Sequence, residues 1–295
     1  MVLSDSAPIL VIGATGRLGR EVVAQLRQKG LPVRALTRQP ATAALPAGVE
    51  LVVGDLAVPE SIEPAIADAR AAFLIWTAPP ATAADVIARL ARRVERIVFL
   101  SSPHQTPHPF FQQPNRLANL HGDIDRLVTN SARESTIIRP GMFASNSIFW
   151  WASQIQTGDV VRWPYGVVET APIDDRDIAA VAVRALVEEG HAGRDYVITG
   201  PESLSHETQV RAIGNALGRH IRFHELTPDE FRRETAERFG PAVEMLLAAW
   251  GATAGIPAYV TSTVAEVTGT PARTFAEWAV AHADDFKAPT RSQSP

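Results

Sequence analysis

Three glycines open the chemistry of this chain. They lie in Ile9-Leu10-Val11-Ile12-Gly13-Ala14-Thr15-Gly16-Arg17-Leu18-Gly19-Arg20, where a short apolar run leads into a turn and then a helix. Gly13 permits a tight turn. Gly16 carries no side chain to hold a pyrophosphate away from the backbone. Gly19 lets the helix pack close to the strand. The free N–H groups at the start of that helix, with Thr15, Arg17 and Leu18 around them, offer partial positive charge to phosphates. This spacing predicts a dinucleotide site.

The end of the next apolar run bears on which dinucleotide. NAD binders usually place an acid there to accept from the ribose hydroxyls. This chain reads Val33-Arg34-Ala35-Leu36-Thr37-Arg38, with no acid. Arg38 can pair with a 2′-phosphate through its planar guanidinium, so NADPH is the expected cofactor. Asp55 and Leu56 follow the third apolar run and are candidates for the adenine edge. Thr77, Ala78 and Pro79 follow the fourth and are candidates for the nicotinamide side, although a plain strand-ending turn would also account for them.

These residues need a scaffold. The short apolar run Ile9–Ile12 reads as a buried strand and Val33–Leu36 as a second; Leu51–Val53, Ala72–Trp76, Arg96–Leu100 and Ser135–Ile138 are further strand candidates, with Asp195–Thr199 as one more. Helical spacing falls between them, at Arg20–Lys29, Ser61–Ala69 and Ala83–Val94. This alternation predicts an α/β fold with a Rossmann-type, doubly wound parallel sheet. The segment Pro103–Pro114 holds four prolines and reads as a loop at a strand C-terminus, where open α/β sheets place ligands. From Phe149 the texture becomes aromatic. Helical patterns at Glu207–Leu217, Pro228–Arg238 and Pro241–Trp250 predict a smaller, mostly helical C-terminal substrate cap. The expected division is a nucleotide domain over 1–148 and a cap over 149–287, with 171–200 returning to the sheet and a disordered tail over 288–295.

Composition sets bounds on function. The chain has 295 residues, 46% hydrophobic and 20% charged, with a formal net charge of −4, which suits a globular protein and gives no bulk attraction to nucleic acid or anionic membrane. There is no cysteine, so thiolate catalysis, disulfides and cysteine metal sites are excluded. No apolar run reaches the roughly 18 residues of a membrane span. The N-terminus lacks the pattern of a signal peptide, and a cytoplasmic monomer or homodimer acting on a small molecule is expected. Asp174, Asp175 and Asp177 precede the helical pattern Ile178–Glu188, where capping explains them better than a metal.

Gly13-Ala14-Thr15-Gly16-Arg17-Leu18-Gly19, Val52-Val53-Gly54-Asp55-Leu56, Val98-Phe99-Leu100-Ser101-Ser102 and Thr136-Ile137-Ile138-Arg139-Pro140-Gly141-Met142-Phe143 together resemble the NmrA-like branch of the atypical short-chain dehydrogenase/reductases. Ala171-Pro172-Ile173-Asp174-Asp175-Arg176-Asp177-Ile178-Ala179 and Thr199-Gly200-Pro201-Glu202 fit the same family. The resemblance runs to about Trp278. It implies a Rossmann fold, NADPH, and reduction of quinones, enones, imines or dyes, in a family that also includes members that only sense the nucleotide. It places Ser101 and Pro140, Gly141, Met142 and Phe143 beside the cofactor.

The chain departs from the superfamily it resembles at the catalytic position. Ordinary short-chain reductases use a Tyr and, four residues on, a Lys; here the segment is Leu117-Ala118-Asn119-Leu120-His121. Leucine cannot donate a proton. His121 matches the position where isoflavone-reductase-like members carry Lys and quinone-reductase-like members carry His. An imidazole there, ordinarily near pKa 6.5, could donate a proton or bond the nicotinamide ribose. His104 and His108 are further donors in the proline-rich segment. Candidates for the substrate side are His104, Phe110, Asn146, Trp150, Trp151, Trp163 and Tyr165, with core packing as the competing role for the aromatics. The expected function is NADPH-dependent transfer of hydride to a small electron-poor acceptor. A nucleotide sensor without catalysis, or an isomerase or cyclase that retains the cofactor, remains as the alternative.

Overall fold

A computed structural model describes residues 7–113 and 116–288, excluding the side chain of Arg116. Met1–Ser6, Pro114 at the end of the proline-rich segment, and the tail from 289 lie outside the described residues.

The first half of the chain runs β1 (Ile9–Ile12), α1 (Arg17–Gln28), β2 (Val33–Thr37), β3 (Glu50–Val53), α2 (Glu63–Ile66), β4 (Ala71–Ile75), α3 (Ala83–Arg93), β5 (Arg96–Leu100), α4 (Arg116–Ser131) and β6 (Glu134–Pro140). The second half runs α5 (Asn146–Thr157), β7 (Val160–Pro164), β8 (Glu169–Thr170), α6 (Asp175–Val187), β9 (Arg194–Ile198), β10 (Leu204–Ser205), α7 (His206–Leu217), β11 (Arg222–Leu226), α8 (Pro228–Phe239), α9 (Ala242–Gly251), α10 (Thr263–Thr268) and α11 (Phe275–Ala281).

Seven strands form one parallel sheet in the order β3-β2-β1-β4-β5-β6-β9. Every residue of β1 is buried because both faces are covered, which is why it reads as continuous apolar sequence instead of alternating. One face carries α1 and α6, through Val22, Val23 and Leu26 against Ile178, Val181 and Ala182. The other carries α3 and α4, through Val86, Ile87, Leu90, Ile124 and Val128. Strand order reverses between β1 and β4, so a crevice opens outside their C-terminal ends.

The cap has its own core. Trp150 and Trp151 of α5, Trp163 of β7, Phe231 of α8, Trp250 of α9 and Trp278 of α11 are buried together. Strands β7 and β11 pair in parallel beneath them. The segment 175–198 belongs to the main sheet: α6 lies on α1, and β9 extends β6.

Several boundaries depart from the pattern reading. The helix expected over Ser61–Ala69 is a 3-10 turn at Pro59–Ile62 followed by a single α turn at Glu63–Ile66, each with a proline in its first turn, where the missing N–H is tolerated. Helix α1 begins at Arg17, inside the glycine loop, rather than at Arg20. The helix over Asn146–Thr157 carries aromatic and apolar residues around much of its circumference, so its period is weak in sequence. Asp174 is the N-cap of α6, its carboxylate accepting from Arg176 N–H at 2.8 Å. No helix among the described residues is long and apolar enough to cross a membrane.

Candidate active site

The glycine loop is built as the spacing requires. Gly13 has φ +87°, and a Cβ there would lie 2.9 Å from Ile75 Cβ. Gly16 N–H donates to Gly13 O at 3.1 Å and Gly16 caps α1. At Gly19 a Cβ would fall 2.1 Å from Gly13 O. The turn therefore exists only with glycine at 13 and 19, whereas at 16 the nearest atom to a Cβ is 3.4 Å away. The first turn of α1 holds no acid, leaving its N–H dipole uncompensated.

A groove of about 670 Å³ runs along this turn. Gly13, Thr15, Gly16, Arg17, Leu18 and Gly19 line one wall; Arg38, Asp55, Leu56, Thr77 and Phe143 line the others. Arg38 is exposed and has no ion-pair partner among the described residues. Arg17 stands 3.6 Å from Asp285 of the C-terminal segment. Asp55 turns one oxygen inward to accept from Ala57 N–H at 2.9 Å, so part of its carboxylate holds the turn after β3. This cradle fits a dinucleotide: glycines where a Cβ would intrude, open N–H groups and an unpaired guanidinium.

Pattern reading passed over Arg20, which also lines the groove. Its guanidinium donates to Thr15 O at 3.0 Å and Ala43 O at 2.9 Å, tying the glycine loop to the segment after β2. The only sequence signal was a basic residue one turn into the helix. Ala78 and Pro79, expected along the cofactor, line neither the groove nor the pocket beside it. Ala78 O instead accepts from Trp76 Nε1–H at 2.7 Å, and Pro79 caps the 3-10 turn over Pro80–Thr82.

The groove continues into an apolar pocket of about 380 Å³, and Ile75, Leu100 and Phe143 line both. Ser101, Pro140, Gly141 and Met142 form its floor with Trp76, and His121 looks into it from α4. His121 lies edge-on to Phe99, centroids 6.0 Å apart, and its Nδ1 is buried without a partner. Burial pushes its pKa down to about 4, despite the opposing pull of the Asp125 carboxylate. With that shift the ring is uncharged at pH 7.

Beneath the pocket, Arg139 is 3% exposed and spans four elements or their ends. It donates to Asp195 of β9 at 2.7 Å and to Asp125 of α4 at 2.7 Å. It also reaches the Ser101 hydroxyl and Ser102 O after β5, both at 3.1 Å. His104 joins this network, Nδ1 3.0 Å from Ser102 O and Nε2 3.6 Å from Asp125. The floor of the pocket is thus fixed by buried charge pairing.

Farther from the groove, His104, Phe110, Asn146 and Trp150 line a second cavity of about 220 Å³ under α9. Asn146 Nδ2–H donates to Met142 Sδ at 3.0 Å. Three other aromatics expected to line a substrate site line none of these cavities. Trp151 and Trp163 are 0% and 1% exposed, locked in the cap core where Trp163 packs 4.8 Å from Phe231. Tyr165 has φ +55° and lays its hydroxyl against Gly251. Phe111, missed beside Phe110, lines both cavities.

The family model for NAD(P)H-binding proteins matches residues 13–189, and the chain belongs to this family, within the NmrA-like class of atypical short-chain dehydrogenase/reductases. It is an NAD(P)H-dependent oxidoreductase. The chain is 35% identical over 286 residues to a (4-alkanoyl-5-oxo-2,5-dihydrofuran-3-yl)methyl phosphate reductase of Streptomyces griseus, covering 94% of this chain and 99% of that one. An NAD(P)H azoreductase of Xenophilus azovorans is 34% identical over 291 residues, covering 95% and 99%. In structure the chain resembles an NADPH-dependent quinone oxidoreductase of Escherichia coli solved with NADPH, with a TM-score of 0.77, 23% identity and coverage of 92% and 98%.

Proposed function

We propose that this protein uses NADPH in preference to NADH to reduce a small, flat, conjugated acceptor such as a quinone, enone, imine or azo compound. The observation that carries this reading is the continuity of the dinucleotide groove with the apolar pocket, through Ile75, Leu100 and Phe143. When bound, a reduced nicotinamide supplies a hydride. The chain's own contribution is placement and dryness. Gly16 and the start of α1 receive phosphates, and Arg38 favours the 2′-phosphate. Phe110, Phe111 and Met142 cover the pocket with apolar surface, excluding water from the reacting face.

His121 serves as a neutral hydrogen-bonding group rather than a reservoir of protons, since its ring is uncharged at pH 7. The relatives named as reductases of an azo bond and of an unsaturated furanone both act on conjugated acceptors, which supports the same class here. Steady-state oxidation of NADPH and NADH against a panel of naphthoquinone, enone, imine and azo dye tests the reading. Turnover with at least one acceptor and a preference for NADPH is expected. Equal use of both cofactors removes the Arg38 assignment, and no turnover with any acceptor removes the reductase.

A further inference from the structure

Three cavities meet at the same three side chains. The apolar pocket beside the groove, the cavity under α9, and a small space between Gly141 and Tyr259 all have Phe110, Phe111 and Met142 in their walls. The three cavities therefore lie side by side, with these groups in the walls between them. Phe111 sits at the junction: its ring tip lies 3.8 Å from where a Gly141 Cβ would project, beside the pocket that adjoins the groove.

The support of the divider is uneven. The backbone of Phe111 is held, its N–H donating to His108 O at 2.9 Å. His108 is itself pinned: Nδ1 accepts from Phe110 N–H at 3.3 Å, which leaves Nε2–H to donate to Pro257 O at 3.0 Å. Gln112 Nε2–H donates back to Thr106 O at 2.7 Å, closing the proline-rich segment on itself. The Phe111 ring packs against other rings, Phe110 at 5.2 Å, His108 at 5.7 Å and Tyr259 at 6.4 Å between centroids, and borders all three cavities. Edge contacts of this kind are small energies. A ring that borders cavities on a hydrogen-bonded backbone makes a divider that sets the size of the space.

We infer that Phe111 is the residue that sets acceptor size, a role that rests on the reductase reading. With the ring as placed, the pocket beside the groove admits a single-ring or compact fused-ring acceptor. An acceptor with two separated rings needs the cavity under α9 as well, and must displace Phe111 to span both. The partition is a property of the cavity, so it governs binding whether or not turnover follows.

The test compares Phe111→Ala, which opens the divide, with Phe111→Trp, which thickens it. Binding of benzoquinone and of the two-ring azo dye methyl red to the NADP+-loaded protein is read by quenching of tryptophan fluorescence, and turnover of each with NADPH is read separately. Phe111→Ala is expected to improve binding of the dye relative to benzoquinone by about tenfold, and Phe111→Trp to shift the ratio the other way. If Phe111→Ala does not fold, Phe111→Leu carries the same comparison in the same direction. A dye-to-quinone ratio that stays within about twofold of the native value in both directions overturns the partition. Absent turnover with the size-dependent binding intact overturns the reductase reading and leaves the partition standing.

Discussion

Replacing His121 by alanine separates two chemistries that look alike in sequence. Were His121 the general acid, its removal would lower kcat by about 10²–10⁴. The structure argues for a smaller effect. Burial of the ring on α4 pushes its pKa down to about 4. At pH 7 only about one molecule in 10³ then carries the extra proton, which offsets most of what an acid there could contribute. What remains is a neutral imidazole at the pocket wall, whose hydrogen bond is worth about 0.5–1.5 kcal/mol. His121→Ala is therefore expected to lower kcat by roughly two- to tenfold, with NADPH affinity unchanged, and His121→Gln to recover most of the loss. The pH profile of kcat should stay flat from pH 8 down to about 5.5, because the group lost its charge far below that range. Steady-state kinetics across this range, on both variants, gives the measurement. A hundredfold loss in both, together with a native profile breaking near pH 6.5, would refute the argument from burial.

Arg38→Ala should weaken NADPH binding by about 1.5–3 kcal/mol while leaving NADH unchanged, as measured by titration calorimetry. Gly16→Val should fold and lose dinucleotide binding, since a Cβ at 16 meets nothing closer than 3.4 Å in the protein itself. Gly19→Ala should instead unfold at lower temperature, since its Cβ would fall 2.1 Å from Gly13 O; melting curves of the two variants distinguish a binding defect from a folding defect. His206 is fully buried edge-on to Trp250, and burial holds its pKa at about 4 against 6.5 for an exposed ring. The folded value lies below the unfolded one, so its contribution is complete above pH 6.5 and is lost as the pH falls from about 6.5 to about 4, by about 3 kcal/mol. Urea midpoints at pH 7 and pH 4.5 should show this loss in the native protein and a smaller one in His206→Leu.

The sheet was legible in sequence wherever burial on both faces made a strand a continuous apolar run, as at Ile9–Ile12 and Ala71–Ile75. The glycine loop was legible because its geometry leaves few alternatives at Gly13 and Gly19. The cap was less so. Trp150 and Trp151 are neighbours of like chemistry, yet only Trp150 reaches a cavity, a distinction set by the packing of α5 on β7 and α9 that no local pattern encodes. Strands β7 and β11 pair although 57 residues separate the end of one at Pro164 from the start of the other at Arg222, and neither has a run that a two-residue period would reveal. The Arg139 network was invisible for the same reason, since Ser101, Asp125 and Asp195 come together only when β5, α4, β6 and β9 are in register. The state of His121 depends on its depth on α4, which the local segment does not fix: Leu117 is 53% exposed and Ile124 fully buried.

An anaerobic single turnover shows whether bound NADPH gives its hydride to a conjugated acceptor. The protein loaded with one equivalent of NADPH is mixed with a naphthoquinone, and the nicotinamide absorbance is followed. Oxidation of the bound NADPH in step with reduction of the quinone, abolished in Gly16→Val, is the expected result. NADPH that binds tightly through Arg38 and the glycine loop, yet persists unchanged in the presence of quinone, enone, imine and azo dye alike, would contradict it and leave a nucleotide-binding protein without catalysis.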